Sequence, residues 1–116
     1  MRAFLPHIRA GGAVLFVTTF LRQVGFPGLS VYSASKAAVH HMTRVLAMQL
    51  ASKRITVNAV APGPFESKMM AATLDRFKDA IVASCPLGRI GEPEDMAGIA
   101  IYLASRAGAY LTGTVI

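Results

Sequence analysis

No tryptophan occurs in the 116 residues, and a single cysteine, Cys85, excludes any disulfide within the chain. Long apolar runs are missing as well. The stretch Ala13–Val17 is among the longest, far short of the roughly 20 residues a membrane helix needs. The opening Met1-Arg2-Ala3-Phe4-Leu5-Pro6-His7 has no extended apolar segment behind its charge, so no signal peptide is expected and the cytoplasm is the default compartment. Acidic residues are scarce, six against twelve Lys and Arg. The basic residues are nevertheless scattered, with only Lys53 and Arg54 adjacent. A nucleic-acid surface would cluster them around aromatics, so no nucleic-acid partner is expected. A modest attraction for anionic substrates or cofactor phosphates fits better. His7, His40 and His41 lack Cys or carboxylate partners at ligand spacing, so no metal is expected. There is no internal repeat and no low-complexity segment.

What is abundant is apolar side chain, 53% of the sequence. A domain of this size buries a limited share of its surface, so part of that surplus is expected to be covered by something else. Ala13–Val17, apolar at every position, reads as a strand buried on both faces, as in a parallel sheet. A Gly25-Phe26-Pro27-Gly28 loop follows. Residues 33–52 form a helical segment without interior Gly or Pro, apolar over much of its girth, ending at the dipole-complementing pair Lys53-Arg54. Ile55–Val60 reads as a second strand, stopped by Pro62-Gly63-Pro64. Residues 66–84 are mixed and are expected to form a lid rather than a core element. Pro93, followed by Glu94 and Asp95, starts a helix that runs to Ser105. Thr114-Val115-Ile116 looks like a further strand beginning. Helix followed at once by strand is the βαβ rhythm of a parallel α/β sheet.

Tyr32 and Lys36 stand four apart at the head of the long helix, which places them on one face. A phenol ordinarily titrates at about 10, too high for efficient proton exchange near neutrality. A neighbouring ammonium favours the phenolate. Such a pair suits proton donation to a carbonyl oxygen, or removal of a proton from an alcohol. Ser33 and Lys36 also fit the S-x-x-K pattern of penicillin-binding hydrolases, but the S-D-N and K-T-G partners of that chemistry are absent.

The surroundings of the pair decide between these. Tyr32-Ser33-Ala34-Ser35-Lys36-Ala37-Ala38-Val39 resembles the active-site helix of the short-chain dehydrogenase/reductase family. Thr19, thirteen residues before Tyr32, falls where that family has its substrate-orienting Ser. Val57-Asn58-Ala59-Val60-Ala61-Pro62-Gly63 resembles the family's strand and Pro-Gly turn. Pro86–Asp95 and Tyr110-Leu111-Thr112-Gly113 resemble its late loop and its approach to the last strand. The four motifs are in order and cover essentially the whole chain, and carrier-protein β-ketoacyl reductases are the nearest members.

The resemblance implies an α/β, Rossmann-type doubly wound parallel sheet of which residues 1–116 are the C-terminal half, with both ends expected to be cut. It implies NAD(P)-dependent oxidation and reduction of a carbonyl/alcohol pair on a small-molecule substrate, with a 3-oxoacyl group as the candidate and NADP slightly favoured over NAD. Tyr32 is then the general acid/base, Lys36 its modulator and a partner of the nicotinamide ribose, and Thr19 the holder of the substrate oxygen. Tyr32, Lys36, Pro62, Gly63, Phe65 and Ser67 would face the cofactor. The family's helices make subunit contacts, so a homo-oligomer is expected of the full-length form. The family's glycine-rich pyrophosphate turn is not among these residues. The alternative expectation is therefore an inactive remnant that acts, if at all, through subunit association.

Overall fold

The computed structural model of the chain describes residues 3–22 and 27–116, and of Arg22 only the backbone. Gly25 and Phe26 of the expected loop, and Met1-Arg2, lie outside the described residues. Five regular elements follow in order: strand β1 (Ala13–Val17), helix α1 (Ser30–Leu50), strand β2 (Thr56–Val60), helix α2 (Ala71–Ser84) and helix α3 (Pro93–Ala104).

β1 and β2 pair in parallel, from Ala13 opposite Thr56 to Val17 opposite Val60. Parallel neighbours need a long crossover, and α1 supplies it. Its first helical turn follows a turn at Pro27-Gly28, where Gly28 has a φ of +84°. The helix therefore starts three residues before the expected Ser33, and Tyr32 sits inside its first turn. At the other end Lys53 lies in a separate 3₁₀ turn, Ala51–Lys53, and Arg54 takes a left-handed conformation that redirects the chain into β2. The basic pair thus belongs to the connection rather than to the last turn of α1.

The core forms where α1 crosses the sheet. Ala47 and Leu50 pack with Ile55 and Val57, and Val14, Phe16, Leu46, Leu5 and Ile8 close around them. Thr43, Ala47 and Leu50 are the buried residues of α1, one stripe at four- and three-residue spacing. The helix is not buried around its girth: Val31 is 83% and Met48 82% exposed. α3 packs against β1 and buries Leu103.

The expected third strand is present as a paired edge. Val115 bridges Ala59 in parallel, and the Ala61 amide donates to the Ile116 carbonyl at 2.6 Å. Asn58, 1% exposed, secures this edge: its Nδ2 donates to the Leu111 carbonyl at 2.9 Å and its Oδ1 accepts from the Thr114 amide at 3.2 Å. Thr112 Oγ1 accepts from the Val57 amide at 3.0 Å. Gly113 makes the intervening turn at a φ of +76°, which a side chain would resist. The sheet order is therefore β1, β2, then residues 114–116, all parallel.

Within the mixed segment 66–84, residues 71–84 form one continuous helix, α2, and Leu74 is its only buried residue. Among the described residues, no helix is long and apolar enough to cross a membrane.

Candidate active site

Because β1 and β2 end in register at Val17 and Val60, the residues after each emerge side by side at the carboxyl edge of the sheet. In open α/β sheets that edge is where ligands bind. The Thr18 amide donates to the Val60 carbonyl at 2.8 Å, and the Phe20 amide reaches the Pro62 carbonyl at 3.4 Å. Thr19 and the Pro62-Gly63 turn are therefore held against each other by backbone alone.

The head of α1 is tied to the same edge by two bonds. Lys36 Nζ donates to the Val17 carbonyl at 3.2 Å. Thr18 Oγ1 donates to the Lys36 carbonyl at 3.2 Å. The Lys36 ammonium also lies 5.8 Å from the centre of the Tyr32 ring, within cation–π reach. One charge thus spans the phenol ring and the end of β1. Tyr32 is half-buried, while Thr18 and Thr19 are buried. Thr19 Oγ1 accepts a long bond, 3.4 Å, from the Leu21 amide, which leaves its hydrogen available to donate.

Of the residues expected to face the cofactor, Pro62 and Phe65 line a cavity of about 240 Å³ together with Val60, Asp95, Met96 and Ile99. Gly63 has open space where a Cβ would stand. Ser67 is placed differently: its Oγ accepts from the Met70 amide at 3.2 Å and closes the turn that leads into α2. It lines an open groove with Glu66, Lys68, Leu74, Asp75 and Lys78. Glu66 and Lys78 pair across that groove at 3.4 Å, both well exposed.

The sequence reading missed three features. Thr18, next to the Thr19 that the spacing favours, anchors α1 through the Lys36 carbonyl. Asn58 was read only as part of a strand, and its partners lie more than fifty residues away. The third is a brace around α3. Arg89 Nη1 and Nη2 donate to the two carboxylate oxygens of Asp95 at 2.6 and 3.0 Å, and Asp95 Oδ2 also accepts from the Glu92 amide at 2.9 Å. Those bonds, Arg89 first and then the Glu92 amide, hold the Asp95 carboxyl down at about 2. The hydrogen bond to Asp95, and then its charge, raise the Arg89 guanidinium in turn. The Glu92-x-x-Asp95 spacing at a helix start was the available signal.

Among the described residues, no group of three His, Cys, Asp or Glu side chains could hold a metal ion.

The chain matches the family described as enoyl-(acyl carrier protein) reductase over residues 1–116. It is 40% identical over 105 residues to the 3-oxoacyl-[acyl-carrier-protein] reductase FabG of Thermotoga maritima, covering 90% of this chain and 43% of that protein. It is also 40% identical over 108 residues to the 3alpha-hydroxysteroid dehydrogenase of Mediterraneibacter gnavus, covering 93% and 43%. Among solved structures, a blue fluorescent protein from a metagenomic library, in complex with NADPH, superposes with a TM-score of 0.91 at 35% identity, covering 99% of this chain and 47% of that one. The chain thus spans less than half the length of the relatives it matches. With a family match across every residue and a parallel sheet that carries Tyr32 and Lys36 at its carboxyl edge, the chain belongs to the short-chain dehydrogenase/reductase family, close to its 3-oxoacyl-[acyl-carrier-protein] reductase-like members.

Proposed function

We propose that residues 1–116 work as the proton-transfer half of an NAD(P)-dependent oxidoreductase that interconverts a carbonyl and an alcohol. A 3-oxoacyl group on a carrier protein is the substrate class, and NADP is favoured over NAD. The observation that carries this reading is the tie between Lys36, Tyr32 and the end of β1, directly beside the Pro62–Phe65 turn.

The open face at Gly63 and the cavity beside Pro62 and Phe65 fit a flat heteroaromatic ring. Lys36, Pro62, Gly63 and Phe65 would hold the nicotinamide end. When bound, that group supplies or accepts the hydride. The chain's own residues handle the oxygen. Tyr32 gives its phenolic proton to the carbonyl oxygen during reduction and takes one back during oxidation. Lys36 stabilises the phenolate left behind, from a position fixed by Val17 and by Thr18. Thr19 donates a hydrogen bond to the same oxygen and offsets the charge that develops there. The methyl of Thr19 occupies space that a Ser would leave free.

The NADPH complex of the structural relative supports the NADP preference, and the carrier-protein relative supports the substrate class. Exposed Val31 and Met48 on α1 and Ile101 on α3 would be covered in a homo-oligomer of the full-length form. A lone thiol, Cys85, suits a reducing cytoplasm.

A chimera tests the proposal: the amino-terminal part of the Thermotoga maritima reductase joined to residues 1–116. NADPH-dependent reduction of a 3-oxoacyl thioester is expected, and Tyr32→Phe should abolish it without changing NADPH affinity. Near-normal turnover in that variant would remove the acid/base assignment.

A further inference from the structure

Between α2 and α3 the chain returns to the carboxyl edge of the sheet and touches the cofactor-facing turn. The Gly91 amide donates to the Pro64 carbonyl at 2.9 Å, and Gly91 pairs with Phe65 as an isolated parallel bridge. The Phe65 ring lies across the Gly91 Cα. A side chain at residue 91 would run its Cβ into Phe65 Cζ and Cε2. The contact therefore requires glycine for room rather than for backbone freedom, since Gly91 is not among the glycines with positive φ.

The segment that carries Gly91 is fixed on both sides. Before it, Arg89 holds Asp95 with two parallel bonds and also donates to the Ile90 carbonyl at 3.1 Å. After it, the Glu92 amide is bonded to the same Asp95 carboxylate. Asp95 sits in the first turn of α3, which packs against β1. Asp95 and Phe65 also line the same cavity at the sheet edge. A continuous path thus runs from the body of the fold, through α3 and Asp95, to Arg89 and Gly91, and from there to Pro64 and Phe65.

We propose that Arg89, Gly91 and Asp95 are positioning residues for the Pro62–Phe65 turn, and that they set cofactor affinity through the placement of that turn. The proposal rests on the reading of that turn as the nicotinamide-facing one. The Arg89–Asp95 pair is 46% and 41% exposed, so it adds little to global stability. Its value lies in the planar, bidentate geometry, which fixes direction as well as distance. Residue 91 is then the gauge of the turn: a larger residue there displaces the Phe65 ring.

The test uses Gly91→Ala and Arg89→Met, each alone and with Phe65→Leu, in the chimera described above. Either single change is expected to weaken NADPH binding by about tenfold with little change in melting temperature, as a misplaced cradle rather than a lost contact would. Phe65→Leu should suppress most of the Gly91→Ala effect, because the new methyl then has room. Wild-type affinity in Gly91→Ala, or an equal loss in both backgrounds, would overturn the proposal. A readout free of cofactor separates its failure from that of the proposed function. In the 116-residue chain and the chimera alike, Arg89→Met should speed hydrogen exchange at the Gly91 amide that donates to Pro64. If the parent chimera binds no NADPH, the function reading falls, and the brace stands or falls on that exchange rate alone.

Discussion

The two walls of the site are held in opposite ways. One wall, built from the buried Thr18 and Thr19 and the half-exposed head of α1, is bonded from several directions: to Val60 through the backbone, to Val17 through the Lys36 ammonium, to Lys36 through the Thr18 hydroxyl. The other wall runs from Pro62 through α2. It buries only Leu74 along fourteen residues of helix and closes its groove with the exposed pair Glu66–Lys78. The groups proposed to handle the proton sit on the more firmly bonded wall, where a small displacement would cost most. Met69 lies on the other wall, 77% exposed, and a flexible thioether adapts to varied apolar shapes.

The sharpest way to break the contrast is at Tyr32. Tyr32→Phe keeps the ring over Lys36 and removes only the exchangeable proton. Turnover of the chimera should fall by about 10²–10⁴, the usual worth of general acid–base catalysis. No comparable loss is expected from Met69→Ala, which samples the other wall. Parallel assays of the two variants check both.

Next comes the cost of loosening each wall. Leu50→Ala removes a side chain from the α1 core and should cost about 3 kcal/mol in urea unfolding. Leu74→Ala should cost distinctly less, because α2 has no second buried residue to lose with it. Equal costs would show that α2 is as firmly seated as α1.

A smaller effect is expected at Thr18. Thr18→Val is close to isosteric and deletes the bond to the Lys36 carbonyl, for about 1 kcal/mol of stability. Its larger consequence should be on turnover, since the register of Lys36 against β1 is no longer fixed. A stability loss with unchanged turnover would make the bond purely structural.

The smallest effect concerns pH. The Asp95 carboxyl is held at about 2, below its ordinary value of 3.8. A carboxylate depressed in this way contributes stability that is fully present above the ordinary value and is lost as pH falls toward 2. Carbon-detected titration of Asp95 should give a midpoint near 2, rising toward the ordinary range in Arg89→Met. An unchanged midpoint would show that the Glu92 amide alone sets it.

Legibility in the sequence followed the range of the interactions. β1 and β2 were readable because each is a short run rich in apolar and β-branched residues between breakers. The Tyr32–Lys36 face was readable because helix geometry relates residues four apart. α3 was readable from Pro93 and the acids behind it. Residues 66–84 misled because their local signals conflict: Pro and Ser precede a helix whose single buried residue, Leu74, gives no apolar stripe to read. The girth of α1 misled in the other direction, since composition records how many side chains are apolar, not which of them find a partner.

The sequence by itself determined the parallel α/β rhythm, the shared face of Tyr32 and Lys36 and the motif order that marks the family, because each depends on spacing within one element or on succession along the chain. Only the tertiary structure decided what holds that pair in place. The Lys36 bond to Val17 spans nineteen residues, the Asn58 bond to Thr114 spans fifty-six, and the Phe65 ring finds its seat at Gly91. Contacts of that range depend on how separate elements dock, which no local pattern records.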